Sequence, residues 1–194
     1  QMPCCFDALS AKLVAAAGFP VTFVSGFSAA AAKGLPDTGL LSYAEMEGVM
    51  RRVSTALDQQ IPVIGDGDTG YGNAVNAKRT VKGYAAAGLA GIMIEDQVAP
   101  KRCGHTKGKE VVDRATAIAR IQAAVDASRE AAGGREDDSI LIVARTDARG
   151  THGLDEALER AVRFREAGAD ICFVEAPQSV EEMRAICEAV EGPK

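Results

Sequence analysis

Two aspartates one residue apart, Asp66 and Asp68, stand inside the segment Gly65-Asp66-Gly67-Asp68-Thr69-Gly70-Tyr71-Gly72. Paired carboxylates repel one another unless a cation or a proton lies between them. The flanking glycines let the backbone approach a ligand closely. With oxygen donors only, and no Cys or His nearby, the cation to expect is Mg²⁺ or Mn²⁺. An isolated Asp-x-Asp is more often a polar turn with helix-capping aspartates. Here, however, a second acidic pair, Glu95-Asp96, ends the next apolar run. If the two runs are neighbouring parallel strands, their C-terminal ends lie side by side and these carboxylates are expected to converge.

Three further segments carry chemistry. Lys101-Arg102-Cys103-Gly104-His105 sets a thiol between cations and close to an imidazole. These are the surroundings of a reactive cysteine, one able to exchange a proton with a carbanion-like intermediate. The plainer alternative is a basic surface loop with an incidental cysteine. Arg145, in Ala144-Arg145-Thr146-Asp147, can hold a carboxylate through two parallel hydrogen bonds or simply neutralise the acidic cluster. Glu175 can bond a substrate hydroxyl or support Arg145. The Ser25-Gly26-Phe27 segment offers a hydroxyl and backbone N–H groups to a carboxylate, although a Ser-Gly pair alone is more often a turn.

All of these groups sit at or just after the ends of short apolar runs: Val21 to Ser25, Pro62 to Asp66, Gly91 to Glu95, Ile140 to Arg145 and Asp170 to Glu175. Most are rich in Val, Ile and Phe without clean alternation, as expected for strands buried on both faces. Helical patterns separate them: Tyr43 to Leu57, Asn76 to Ala87, Asp113 to Ala132, Leu154 to Ala167 and Val180 to Val190. Two of them run into glycine, at Gly88 and Gly168, which readily takes the left-handed conformation that closes a helix. Strand then helix, five times over, predicts parallel βα units. Two architectures fit, a doubly wound open sheet and a (β/α)8 barrel. The first strand lacks a Gly-rich dinucleotide fingerprint, and every strand delivers acids, bases or hydroxyls at its C-terminal end. That is where β/α barrels build active sites, so the barrel is the expected architecture. Barrels of this kind run to about 250 residues. The expectation is therefore a single incomplete barrel domain over residues 1–194, with about five or six βα units and without the last strands and C-terminal helices. The polar stretch 133–138 is expected to be a surface loop without chemistry.

The composition is that of a globular protein: 47% hydrophobic, 25% charged, no tryptophan. A formal net charge of −5 without a basic stripe argues against nucleic acid as a partner, and no apolar run approaches the roughly 18 to 20 residues needed to span a bilayer. Residue 1 is Gln, so a preceding segment, including a targeting peptide, lies outside this reading. The five cysteines, Cys4, Cys5, Cys103, Cys172 and Cys187, read as reduced thiols of an intracellular, by default cytoplasmic, protein. Cys172 and Cys187 are expected in the core.

Taken together, these segments resemble the isocitrate lyase/phosphoenolpyruvate mutase superfamily over nearly the whole chain. The matching pieces are Phe6-Asp7-Ala8-Leu9-Ser10-Ala11, Val24-Ser25-Gly26, Gly34-Leu35-Pro36-Asp37, Asp66 to Gly72, Ile94-Glu95-Asp96-Gln97, Lys101 to His105 and Ala144 to Asp147. The Cys-Gly-His segment resembles that of the compact carbon–carbon lyase branch, the methylisocitrate lyase and 2-alkylmalate type. Gly65 departs from the pattern, where Ala is commoner. The resemblance implies Asp66 as the direct Mg²⁺ ligand, with Asp68 and Glu95 holding the ion directly or through water. It implies Cys103 as general acid to an enolate, with Arg145 and Glu95 in the catalytic group. Ser25, Gly26, Phe27, Gly104, His105, Arg145 and Glu175 would bind substrate. Asp37 and Lys101 would belong to a gate and outer shell. It also implies a small carboxylate substrate and a homotetramer. Oxaloacetate hydrolysis, phosphonate formation and a non-catalytic scaffold are the alternatives.

Overall fold

Six strands, all parallel, lie side by side in the order in which the chain makes them. They are β1 (Cys4–Cys5), β2 (Thr22–Val24), β3 (Val63–Asp66), β4 (Gly91–Glu95), β5 (Leu141–Thr146) and β6 (Ile171–Val174). A computed structural model describes residues 1–133, 135 and 139–194. Eight helices alternate with the strands among these residues: α1 (Ala8–Ala16), α2 (Gly26–Ala31), α3 (Tyr43–Leu57), α4 (Ala74–Ala86), α5 (Arg114–Ala131), α6 (Ala148–His152), α7 (Leu154–Glu166) and α8 (Val180–Ala189). No helix is long and apolar enough to cross a membrane among the described residues. Of the 133–138 stretch only Gly133 and Arg135 are described, so that expectation lies mostly outside the described residues.

The five expected strands are all present, and β1 is an addition. Two residues long, it is too short to register as an apolar run, yet it pairs with β2 through Cys4–Phe23 and Cys5–Val24. The five expected helices agree with α3, α4, α5, α7 and α8 to within two residues at either end. The short α1, α2 and α6 are additions as well. They arise at local caps or turns, where apolar periodicity has no length in which to appear. Asp7 caps α1 and Ser25 caps α2, each accepting a backbone N–H three residues on.

The strand order decides between the two architectures. A doubly wound sheet reverses its order at a switch point and covers both faces with helices. Here the order never reverses. One side of the sheet takes residues from every layer of helix: Ala11 of α1, Met46 and Met50 of α3, Tyr84 of α4, Ile121 of α5, Phe164 of α7 and Ile186 of α8. These pack with Val24, Ile92, Ile94, Ile142, Ala144 and Cys172 of the strands. The opposite side carries a separate small cluster, Ile64, Met93 and Val143 with Val21, Phe23 and Ile171 against it. Helices on one face and side chains facing inward on the other make this the wall of a β/α barrel. After β6 the chain returns through α8 to place Pro193 O 3.1 Å from Cys172 N, as Pro62 O accepts from Thr22 N between β2 and β3.

Cys172 is buried as expected, but Cys187 is exposed. Its helix α8 turns only Ile186 fully inward. The neighbouring position falls on the solvent side, because adjacent helical residues are about 100° apart.

Candidate active site

A strand shows alternate side chains to opposite faces, and that period sorts the strand ends. On the inner face an apolar tier (Phe23, Ile64, Met93, Val143, Ile171) lies under a polar one formed by Ser25, Asp66, Glu95, Arg145 and Glu175. A cavity of about 420 Å³ at the C-terminal ends of the strands is lined by Phe23, Ser25, Phe27, Asp37, Asp66, Met93, Lys101, Cys103, Gly104, His105, Arg145 and Glu175. The groups expected to act together are therefore together, with Asp68 and Glu95 bordering the same lining. Asp96 is not. One position beyond Glu95, it turns to the helix side of the sheet. There it accepts hydrogen bonds from Thr146 Oγ1 at 2.7 Å, Asp147 N at 2.9 Å and Arg160 Nη1 at 3.0 Å. The expected convergence thus holds for Asp66, Asp68 and Glu95, and alternation removes Asp96 from it.

The two aspartates are oriented by their turn. Gly67 N donates to Met93 O at 2.7 Å, and a Cβ on Gly67 would stand 2.7 Å from that same oxygen, so only glycine lets the chain press against β4. Asp68 then takes φ +46°. Its own N–H donates to Asp66 Oδ1 at 3.1 Å, while Gly26 N donates to Asp66 Oδ2 at 3.0 Å. Gly26 was expected to serve a substrate carboxylate, and here its N–H is committed to Asp66. Behind the strand, Tyr84 Oη donates to the Asp66 carbonyl at 2.9 Å, fixing the backbone as well.

Charge at the mouth is crowded. Lys101 pairs with Asp37 and stands 3.0 Å from Asp68 Oδ1. Arg145 forms a two-point contact with Asp147, Nε to Oδ2 and Nη2 to Oδ1 both at 3.0 Å. It also lies 3.3 Å from Glu95 and 3.5 Å from Glu175. Burial pushes the Asp68 carboxyl up to about 6, with Asp66 adding to the rise and Lys101 opposing it. Burial likewise lifts Glu95 well above the carboxylate range despite Arg145, with repulsion from Asp147, Asp66 and Asp68 on the same side. Burial alone would lower Lys101 and Arg145, but the surrounding carboxylates outweigh it and hold both above their ordinary values.

This donor set fits a divalent cation. Glu95 Oε1 is buried without a hydrogen bond and Asp68 Oδ1 is met by the Lys101 ammonium alone, and a buried carboxylate oxygen left short of partners is costly. No three described His, Cys, Asp or Glu residues form a ready-made cage. Mg²⁺ is commonly held by only one or two carboxylates, with water and substrate oxygens completing its octahedron.

Several residues that build the site escaped the sequence reading. Lys109 Nζ donates to Gly104 O at 2.6 Å and to Asp147 Oδ1 at 2.9 Å. Arg160 of α7 pairs with Asp96, and Arg120 of α5 donates to Glu95 O at 2.7 Å. Gln97 brackets Arg102 from both sides, its Oε1 accepting from Arg102 N at 2.9 Å and its Nε2 donating to Arg102 O at 3.0 Å. Buried cations on otherwise amphipathic helices, at Arg120 and Arg160, were the one signal present in the sequence.

Comparison with known proteins gives a consistent picture. The family model described as phosphoenolpyruvate phosphomutase matches residues 1–194. The 2,3-dimethylmalate lyase of Eubacterium barkeri is 46% identical over 191 residues, covering 98% of this chain and 63% of that protein. Among solved structures, an oxaloacetate acetylhydrolase bound to 3,3-difluorooxalacetate superposes with a TM-score of 0.91 at 34% identity, covering 97% of this chain and 62% of that one. A phosphonopyruvate hydrolase solved with oxalate and Mg²⁺ gives 0.82 at 32% identity, covering 98% and 63%. The chain thus spans about three fifths of the length of the relatives it matches.

Proposed function

The chain belongs to the phosphoenolpyruvate mutase/isocitrate lyase superfamily, and from that premise we propose that its protein is a divalent-metal-dependent carbon–carbon lyase acting on a small 2-hydroxy di- or tricarboxylate. The observation that carries this reading is the convergence of the Cys103 thiol, the Arg145 guanidinium and the Asp66 carboxylate on one cavity, with the buried carboxylates of Asp68 and Glu95 at its border. The 46% identity to a dimethylmalate lyase supports the lyase direction over its hydrolytic relatives. Methylisocitrate, isocitrate and 2-alkylmalates are the substrate types in view, and Phe23, Phe27 and Met93 supply apolar wall for an alkyl substituent.

Asp66, with Asp68 and Glu95 directly or through water, would hold Mg²⁺ (or Mn²⁺), which supplies charge stabilisation to a 2-oxyanion and its neighbouring carboxylate. Arg145, clamped by Asp147, presents its remaining N–H groups to a substrate carboxylate. Ser25, Phe27, Gly104, His105 and Glu175 shape the rest of the binding surface. A base takes the hydroxyl proton, the C2–O bond becomes a carbonyl, and the C2–C3 bond breaks with its electron pair passing into an enolate of the departing carboxylate. Cys103 then gives that enolate carbon its proton. Asp37 and Lys101 close the outer side, and a closed loop keeps water from the enolate.

The test is turnover of the full-length protein on methylisocitrate, isocitrate, 2,3-dimethylmalate and oxaloacetate, with and without Mg²⁺. Cleavage should vanish on chelation and return with Mg²⁺ or Mn²⁺. Cys103→Ser should lower kcat by about 10²- to 10⁴-fold with little change in KM, because a hydroxyl is a weak acid while the binding groups remain. Near-normal kcat in Cys103→Ser, or activity that survives exhaustive chelation, would overturn the reading.

A further inference from the structure

The connection between β4 and α5 leaves the sheet at Gln97 and returns at Val111, where these two residues form an antiparallel bridge. Val98 N donates to Glu110 O at 2.9 Å beside it. The base of the loop is therefore closed, and whatever grips its tip decides whether Cys103 lies over the cavity. Within the tip Thr106 Oγ1 donates to Cys103 O at 2.9 Å, and Lys101 pairs with Asp37 and Asp68; from the base of the loop two side chains reach the tip. Gln97 holds the backbone of Arg102, and Lys109 holds the carbonyl of Gly104. Cys103 lies between the two held residues.

Lys109 does more than brace its own loop. Its Nζ also donates to Asp147 Oδ1, with the two side chains 7% and 0% exposed. Charge-assisted bonds withdrawn from water are stronger than surface ion pairs. The same Asp147 carboxylate makes the two-point contact with Arg145. One anion therefore holds both the cavity's guanidinium and the loop's cation. The fit beneath is tight: a Cβ on Gly104 would stand 2.6 Å from Arg145 Nη2 and 2.8 Å from Glu175 Oε1. The loop lies directly on that pair.

We propose that Lys109 is the latch of this loop, a positioning residue that seats Cys103 over the cavity by pairing with Asp147 and so registers the closed loop against Arg145. The proposal goes beyond the lyase reading and needs no proton transfer by Cys103.

The test reads thiol access. In full-length protein carrying Cys4→Ser and Cys187→Ser, which remove the two exposed thiols, alkylation by iodoacetamide at pH 8 is followed at each remaining cysteine by peptide mass. Cys5 and Cys172 are buried in the layer between sheet and helices, and burial pushes the Cys172 thiol up to about 11. They therefore report any general loosening of the fold. Lys109→Met should speed alkylation of Cys103 by about tenfold or more relative to Cys172, since a hydrogen bond to a charged group shifts an equilibrium by at least that much. Should that variant fail to fold, Lys109→Gln, which keeps a donor for Gly104 O and loses the ion pair, is measured in its place with the same expectation. An unchanged Cys103 rate, or a rise matched at Cys172, overturns the latch. Because turnover is not the readout, a protein that is an active lyase with Lys109 in place and whose Cys103 access is unchanged by the substitution rejects the latch alone, and one that is inactive with Lys109 in place but whose Cys103 is freed by the substitution supports the latch and rejects the lyase.

Discussion

Asp147 is the residue on which most of the mouth depends, although it contacts the cavity only through others. It accepts from Arg145 twice and from Lys109 once, and its own N–H is held by Asp96. Burial by itself would raise its carboxyl, but Arg145 and Lys109 outweigh that and hold it below the usual range. A carboxyl depressed in the folded state stabilises fully above its unfolded value, and that contribution is lost as pH falls through the lower, folded value. Asp147→Asn should therefore lower unfolding stability at pH 7 by about 3 kcal/mol, the scale of breaking a buried ion pair. The gap from wild type should narrow as pH is taken below about 4. Denaturant unfolding of both proteins from pH 7 to pH 3 measures this. A gap independent of pH would mean that the carboxylate's charge is not what holds Arg145 and Lys109.

At the scale of elements, the helices owe their positions to end signals as much as to periodicity. The start of α3 is a complete capping box: Ser42 Oγ accepts from Glu45 N, and Glu45 reaches back to Ser42 N at 2.9 Å. Its inner face, Met46, Val49, Met50, Val53 and Leu57, is buried in the core, with Met50 set against Gly65 of β3, the strand that carries Asp66. Ser42→Ala should cost about 1 kcal/mol, visible as a lower urea midpoint with an unchanged denaturant slope. A cost near zero would show that packing alone sets this helix start. α3, α4, α5 and α7 were legible because four to eight buried positions recur along each. α1, α2 and α6 were not, since a helix of nine residues or fewer leaves too little period to read. β1 was hidden for the same reason, and its pairing is fixed by β2 rather than by its own residues.

For the whole molecule, the balance of charge at the open end of the barrel wall is the feature with the widest consequence. Asp66, Asp68 and Glu95 face one region, Lys101 and Arg145 are the cations that pair with Asp68 and Glu95 among the described residues, and both cations are shared with Asp37, Asp147 and Glu175. A divalent cation relieves that excess, so Mg²⁺ should raise the thermal midpoint of the full-length protein. Ligand at 100 times its dissociation constant adds about 2.7 kcal/mol. Asp66→Asn should abolish the Mg²⁺-dependent rise. A midpoint indifferent to Mg²⁺ in the unsubstituted protein would count against this donor set.

The sequence by itself determined the βα alternation and the cluster of Asp66, Asp68, Glu95, Cys103, Arg145 and Glu175, and it pointed to the barrel that the strand order then decided. It could do so because chemistry-bearing residues at the ends of parallel strands share one face whatever the details of packing. Only the tertiary structure decided which way each strand-end residue points. A period of two sends Glu95 inward and Asp96 outward, and the run Gly91 to Glu95, apolar on both faces, gives no alternation from which to read the phase. Only the tertiary structure, too, joined Lys109 to Asp147 across 38 residues, and Arg160 to Asp96 across 64. Such contacts depend on where a loop and a helix come to rest against the wall, and no local spacing in the chain encodes that.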